Sequence, residues 1–261
     1  MFRKEEEVNK DCAEKPVGFS KDKKRILSNP TMELDIPSGC YVSVEHPCES
    51  ASLGAREFFE KYGYLVIDGL FDYKVFYENP PSVRGQINYY GREDKYSYDP
   101  DEKQVEGSLA RYNHPKFKFI HSQTRLKIEK IIGQQLYNTY YYDRFYFKGQ
   151  KLYRHIDRDA CEISLTYQIS SNSKKPWPIC FETPEGEEKY VNLKDGQAVL
   201  YKGRERDHWR EPLESRYSFA EKLKNKLLFK KDDTYHHQIF FHYVRANGEF
   251  AHCCGDNLLH K

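Results

Sequence analysis

The spacing of apolar and polar positions changes period once along this chain, near residue 138. Before that point the signals are helical. In "SLGAREFFEKYG", Ser52 is placed to cap a helix and Gly63 to stop it. "YLVIDGL" follows at once as a strand. In "SQTRLKIEKIIGQQL", Ile128, Ile131, Ile132 and Leu136 fall at helical spacing and give one face to bury. Beyond this second helix the period is two. "NTYYYDRFYF", "KLYRHID", "EISLTYQIS", "PICFE", "EKYVNL", "QAVLYKG", "DHWREPL" and "HHQIFFHYV" are short strands parted by turn signals such as "TPEGEE" and "LKDGQ". Such a series after two helices predicts a mainly β fold with flanking helices, an antiparallel double-sheet jelly roll (a double-stranded β-helix).

The division that follows is a polar extension over residues 1–50 and one jelly-roll domain over 51–261, with helical support at 52–137 and core strands at 138–245. The extension is lysine-rich and broken by Pro16, Pro30, Pro37 and Pro47. Residues 79–118 are rich in turns and tyrosines and read as a loop or lid over a site. The lysine run 222–231, within an insertion at 219–233, reads as a solvated loop or as the edge of a site for an acidic substrate, and "HPKFKFIH" as a surface turn before the second helix.

Composition narrows the function. A chain of 261 residues buries a core without staples. Its net charge of +2, well mixed, argues against a nucleic-acid partner held by a basic face. No run of 18 apolar residues is present, so no membrane partner is expected, and "MFRKEEEVNK" lacks the apolar core of a signal peptide. The seven cysteines show no CxxC spacing and point to reduced thiols and a cytoplasmic setting. The adjacent pair in "AHCCGD" makes a poor zinc site. With 22 Tyr and 16 Phe, packing takes most of the rings, and tyrosines can also line a polar cavity.

Chemistry enters at "KLYRHID". His155 and Asp157 are two apart in a strand and share a face. By itself such a pair is most often a surface polar couple. It becomes part of a metal site if a third ligand converges from a neighbouring strand, and His208, just after "QAVLYKG", is placed to do so. Two histidines and one carboxylate on one triangular face leave three octahedral positions open, the ligand set of non-haem Fe(II) oxygenases.

The segment "FYFKGQKLYRHID" resembles the prolyl 4-hydroxylase-like branch of the 2-oxoglutarate/Fe(II)-dependent dioxygenases. That branch has a tyrosine three before a glycine and the HxD histidine six after it, here Tyr146, Gly149 and His155. "FFEKYGYLVIDGLF" resembles the entry of the superfamily, and "LKDGQAVLYKGRERDHWREPL" its approach to the distal histidine. The resemblance implies Fe(II) held by His155, Asp157 and His208, with 2-oxoglutarate and O2 as cosubstrates and ascorbate as an auxiliary reductant. It implies that Tyr146 meets the distal carboxylate of 2-oxoglutarate, and that the intact carboxylate ligand serves hydroxylation of an unactivated C–H bond, or oxidative cyclisation or desaturation, rather than halogenation. The expected substrate is a small molecule such as an amino acid; a peptide side chain is the alternative.

One feature departs from that pattern. The family carries an Arg or Lys on the last core strand for the distal carboxylate, and here those positions are His236, His237 and Gln238. A buried carboxylate needs a partner. Arg210, two after His208 on the same face, is the first replacement because its planar fork suits a carboxylate. Arg216 is the second and Arg144 the third. Without such a partner the chain would be a jelly-roll binding module; with zinc at the same ligands, a hydrolase.

Overall fold

The computed structural model describes residues 54–81, 97–98 and 104–255. The extension over 1–50 lies outside these residues, as do 82–96 and 99–103 of the expected lid. Eleven strands and three α-helices are formed: α1 Ala55–Tyr62, β1 Tyr64–Ile67, β2 Ser97–Tyr98, β3 Leu109–Tyr112, α2 Pro115–Ile132, β4 Leu136–Phe147, β5 Leu152–His155, β6 Ile163–Ser171, β7 Ile179–Glu182, β8 Glu188–Val191, β9 Ala198–Tyr201, β10 His208–Arg210, α3 Phe219–Leu227 and β11 Tyr235–Arg245. They make a seven-stranded sheet in the order β1-β9-β6-β11-β4-β3-β2 and a four-stranded sheet in the order β5-β10-β7-β8, paired antiparallel. This is the jelly roll that the strand spacing predicts, with two helices on one side.

The two faces of the large sheet do different work, as strand alternation requires. Tyr141, Phe241 and Tyr243 face outward into one apolar cluster with Phe117, Ile120 and Ile128 of α2 and Phe58 and Phe59 of α1. Tyr140, Tyr142, Tyr146 and Phe240 face inward into a second cluster with Trp177, Leu152 and Cys161. That inner face carries the candidate chemistry.

Helix boundaries follow local stereochemistry. Both helices on the outer face end on a glycine in the left-handed region, Gly63 at φ 79° and Gly133 at φ 66°, where a side chain would be strained. The N-cap of α1 is Gly54, not Ser52, which lies outside the described residues. "HPKFKFIH" is not a surface turn. Pro115 sits in the first turn of α2, His114 accepts from the Lys116 amide as a cap, and Phe117, Ile120 and His121 are buried. Part of the expected lid is likewise sheet, since β3 pairs with β4.

The insertion at 219–233 is not simply a solvated loop. Ser218 and Glu221 form a reciprocal capping box that starts α3. No residue of this helix is buried, and Phe219, Leu223 and Leu227 are exposed along it. Cys254 is disulfide-bonded, contrary to the expectation of reduced thiols throughout. Among the described residues, no helix is long and apolar enough to cross a membrane.

Candidate metal centre and its two flanks

His155 ends β5 and His208 opens β10, and the antiparallel pairing of these strands sets the two residues directly opposite each other. Their rings lie 4.3 Å apart between centroids. The chain turns after His155, and the Asp157 amide donates to the Gly203 carbonyl at 2.8 Å, which brings the carboxylate back beneath both rings. The Asp157 Oδ1 atom stands 3.6 Å from His155 Nε2 and 3.6 Å from His208 Nε2. Donor atoms of all three residues lie within 4.8 Å of one another. The expected trio is therefore brought together.

The second nitrogen of each ring is already assigned. His155 Nδ1 meets the Tyr153 carbonyl at 2.7 Å and His208 Nδ1 the Arg206 carbonyl at 3.0 Å. A carbonyl only accepts, so both Nδ1 atoms carry a proton, and it is the Nε2 atom of each ring that faces Asp157. Asp157 is sorted in the same way. Its Oδ2 accepts from the Ser164 hydroxyl at 2.8 Å, and Oδ1 remains for the cluster. Gly203 permits this approach: a Cβ there would lie 2.3 Å from Asp157 Oδ2. Two imidazole nitrogens and one carboxylate oxygen, each oriented by an outer hydrogen bond, are the donor set of a divalent transition metal such as Fe(II).

Electrostatics agree with that reading. Burial raises the Asp157 carboxyl, but His208, His155 and His242 overcome it and hold the group well below the usual carboxylate range. The two histidines shift in opposite directions against the same carboxylate. Burial lowers both; His155 is pulled back above its ordinary value by Asp157 and the Tyr153 carbonyl, while His208 stays below. Exposure accounts for the difference, 19% for the His155 side chain against 2% for His208. The carboxylate is ionised and the deeper imidazole is neutral, as ligands must be.

On one flank, Arg210 is buried at 2% exposure and stretches from the small sheet to the large one. Its Nη1 donates to the Trp177 carbonyl and its Nη2 to Gln238 Oε1 at 3.2 Å, with the guanidinium over the Trp177 ring. Burial pulls its pKa down to about 10. No carboxylate among the described residues pairs with it. Beside it, His236 stands opposite Tyr146 in the β4–β11 register, and among the described residues neither of its ring nitrogens has a hydrogen-bond partner. A buried cation without an anion and an imidazole without partners are costly in a dry interior. Both needs are met by an anionic ligand with several oxygens. Tyr146 joins this flank through an edge contact to Trp177, with ring centroids 5.0 Å apart.

The other two basic candidates differ in place. Arg144 is buried on the inner face with its guanidinium 5.1 Å from the Tyr142 ring centroid. Arg216 gives its donors to Asp233 and to the Tyr217 hydroxyl. On the opposite flank a cavity of about 330 Å³ is lined by Asp157, Tyr140, Tyr142, Arg158 and His242, among others. None of Ser164, Arg158, Trp177, His236 or His242 is a sequence-level site expectation.

No family model and no curated protein matches the chain. Solved structures to which the chain is similar include a Pseudomonas putida prolyl-4-hydroxylase, at 13% identity over 73% of this chain and 97% of that one, with a TM-score of 0.46. An oxidoreductase of the 2OG-Fe(II) oxygenase family from Burkholderia pseudomallei is 10% identical over 74% of this chain and 91% of its own, with a TM-score of 0.48. AviO1 from Streptomyces viridochromogenes is 13% identical over 74% and 95%, with a TM-score of 0.49. At these identities function has to be argued from the side chains of the site itself.

Proposed function

We propose that the chain is an Fe(II)- and 2-oxoglutarate-dependent dioxygenase that hydroxylates an unactivated C–H bond of a small molecule. The observation that carries this reading is the sorted trio: His155 Nε2, His208 Nε2 and Asp157 Oδ1 left facing one another while every other donor or acceptor of the three is tied to protein. Ferrous ion and 2-oxoglutarate together supply O2 activation and the oxidising equivalents, with succinate and CO2 as coproducts. The protein's own part is positional.

His155, Asp157 and His208 would hold the metal through two imidazole nitrogens and one carboxylate oxygen. Arg210 neutralises the distal carboxylate of 2-oxoglutarate with a preorganised fork. Tyr146 and His236 donate to the same group, and Trp177 keeps water from it. The Ser164 hydroxyl fixes Asp157 in a single orientation. A compact cavity beside Asp157 favours a small substrate over a peptide strand.

Anaerobic mixing of the protein with Fe(II) and 2-oxoglutarate tests this. A weak visible charge-transfer band is expected in the native chain and is expected to be absent from His155→Ala. A folded native protein that shows no such band contradicts the proposal.

A further inference from the structure

Arg210 heads a buried hydrogen-bond chain, and the role inferred for that chain rests on the assignment of Arg210 to 2-oxoglutarate just proposed. Arg210 Nη2 donates to Gln238 Oε1 at 3.2 Å, Gln238 Nε2 to Gln168 Oε1 at 3.0 Å, and Gln168 Nε2 to Asp195 Oδ1 at 3.3 Å. Arg210, Gln238 and Gln168 are all buried. The two glutamines stand opposite each other in the β6–β11 register, and Gln238 shares the inner face with Phe240. Asp195 lies in the turn between β8 and β9. Two backbone bonds of 2.9 Å clamp that turn on Gln168: the Gly196 amide donates to the Gln168 carbonyl, and the Gln168 amide to the Gln197 carbonyl.

The ends of the chain fix its direction. A guanidinium only donates, so Gln238 turns its oxygen toward Arg210 and its amino group away. That amino group meets the Gln168 oxygen, which leaves the Gln168 amino group for the Asp195 carboxylate, an acceptor. Flipping either amide would set donor against donor. Two amide dipoles therefore lie head to tail between a buried cation and an acid in a turn, and each polarises the next. The Trp177 carbonyl, from the loop between β6 and β7, holds the guanidinium at a second point. Both anchors are neutral. They fix where the cation stands and leave its charge and its remaining N–H donors to a ligand. A carboxylate in direct contact would instead neutralise the cation and compete with any anion that enters.

We infer that Gln238, Gln168 and Asp195 are positioning residues that hold the Arg210 fork at one depth, and that this depth selects 2-oxoglutarate over 2-oxoadipate, its homologue with one more methylene. The fork is tied at two points, to Gln238 on the large sheet and to Trp177, so it cannot withdraw to admit a longer chain. Gln238 is one of the positions on the last core strand where an Arg or Lys is missing. The amide found there aims a cation supplied by the other sheet.

The test uses the full chain with Fe(II) under argon and follows the charge-transfer band as each 2-oxo acid is titrated in. The probes are 2-oxoglutarate, 2-oxoadipate and 2-oxopentanoate, which lacks the distal carboxylate. The native chain is expected to bind 2-oxoglutarate tighter than either of the others by tenfold or more. Gln238→Leu is expected to weaken 2-oxoglutarate by about tenfold, the loss of one hydrogen bond to a charged group, and to cut its lead over 2-oxoadipate to about threefold or less. Gln168→Leu and Asp195→Ala act in the same direction with smaller losses. Gln238→Glu keeps the shape and adds a charge, and it is expected to weaken 2-oxoglutarate further than Gln238→Leu does. A positioning role leaves 2-oxopentanoate binding in each variant at its native strength, whereas loosened packing weakens all three acids alike.

Native affinity and native preference in Gln238→Leu overturn the inference, as does equal binding of 2-oxoglutarate and 2-oxoadipate by the native chain. So does a Gln238→Glu chain that binds 2-oxoglutarate no more weakly than Gln238→Leu, or a uniform loss of all three acids. Where Gln238→Leu does not fold, Asp195→Ala takes its place in the comparison, since that residue is exposed in its turn. Any of these results beside a normal native band removes only the positioning role. A missing native band, or an unchanged 2-oxoglutarate midpoint in Arg210→Gln, removes the assignment beneath it and the inference together.

Discussion

The two ends of β11 on the inner face of the large sheet make an instructive contrast. His236 and His242 lie on the same strand face, six residues and about 20 Å apart. Both are buried histidines with a nitrogen that no group among the described residues satisfies. Near His236 stand Arg210 and Trp177, and the cation is anchored between two sheets. Around His242 the space opens into a cavity walled by tyrosines and Arg158. An end with one fixed cation suits a constant ligand, and an open cavity suits one that comes and goes. The trio of His155, Asp157 and His208 stands between these demands, tied to the open end through Ser164.

The contrast can be broken most completely at its centre. Asp157→Ala removes the one ligand that both histidines face, and metal affinity is expected to fall by well over about 100-fold, more than loss of an outer partner costs. Equilibrium dialysis against Fe(II) under argon measures it; near-native affinity would show that the trio is an ordinary polar cluster. Next is the His236 end. Arg210→Gln should weaken 2-oxoglutarate by about 10- to 100-fold, the worth of a buried charge-assisted pair, and leave metal affinity unchanged. A 2-oxoglutarate titration of the band at fixed Fe(II) reads this, and an unchanged midpoint would move the distal carboxylate elsewhere.

Ser164→Ala probes the tie between centre and open end. Loss of an outer hydrogen bond to a ligating carboxylate typically costs about tenfold in metal affinity. The same dialysis detects it, and no change would show that Asp157 is held by backbone alone.

The smallest effect lies behind the open end, where His121 Nε2 meets the His242 carbonyl at 3.1 Å. Burial holds the His121 pKa at about 3, against an ordinary 6.5. The unfolded chain therefore binds more protons between these values, and stability falls as pH drops through 6.5 toward 3. Between pH 7 and pH 5 the loss from this one group is about 2 kcal/mol. Denaturant unfolding at both pH values should show a shallower acid loss in His121→Gln, and equal acid sensitivity would remove His121 from the account.

How much of this was legible beforehand depends on whether the signal was local. Strand alternation is local, so the inner set of Tyr140, Tyr142, Arg144 and Tyr146 could be read from spacing, as could the shared face of His155 and Asp157. The start of α2 could not, because lysines interleave Phe117 and Ile120 and hide the apolar stripe, while the decisive cap is a histidine beside a proline. The exposed apolar residues of α3 defeat a reading that equates lysines with a loop. Arg210 was reachable, since i and i+2 share a face; whether Arg216 would meet Asp233 instead was not, because that contact spans a loop and a helix. Ser164 and His242 are the clearest case. They are partners in the β6–β11 register and orient Asp157 together, yet neither carries any mark in its own segment.

The central claim is that three side chains from β5, the turn after it, and β10 hold a single ion with coordination positions to spare. Titration of the metal-free protein with Co(II), a spectroscopic stand-in for Fe(II), reads both parts together. The account predicts one ion per chain, with the weak visible absorption of a six-coordinate site that changes when 2-oxoglutarate is added, and no such site in His208→Ala. Intense four-coordinate absorption that ignores 2-oxoglutarate, or an unchanged spectrum in His208→Ala, would contradict it.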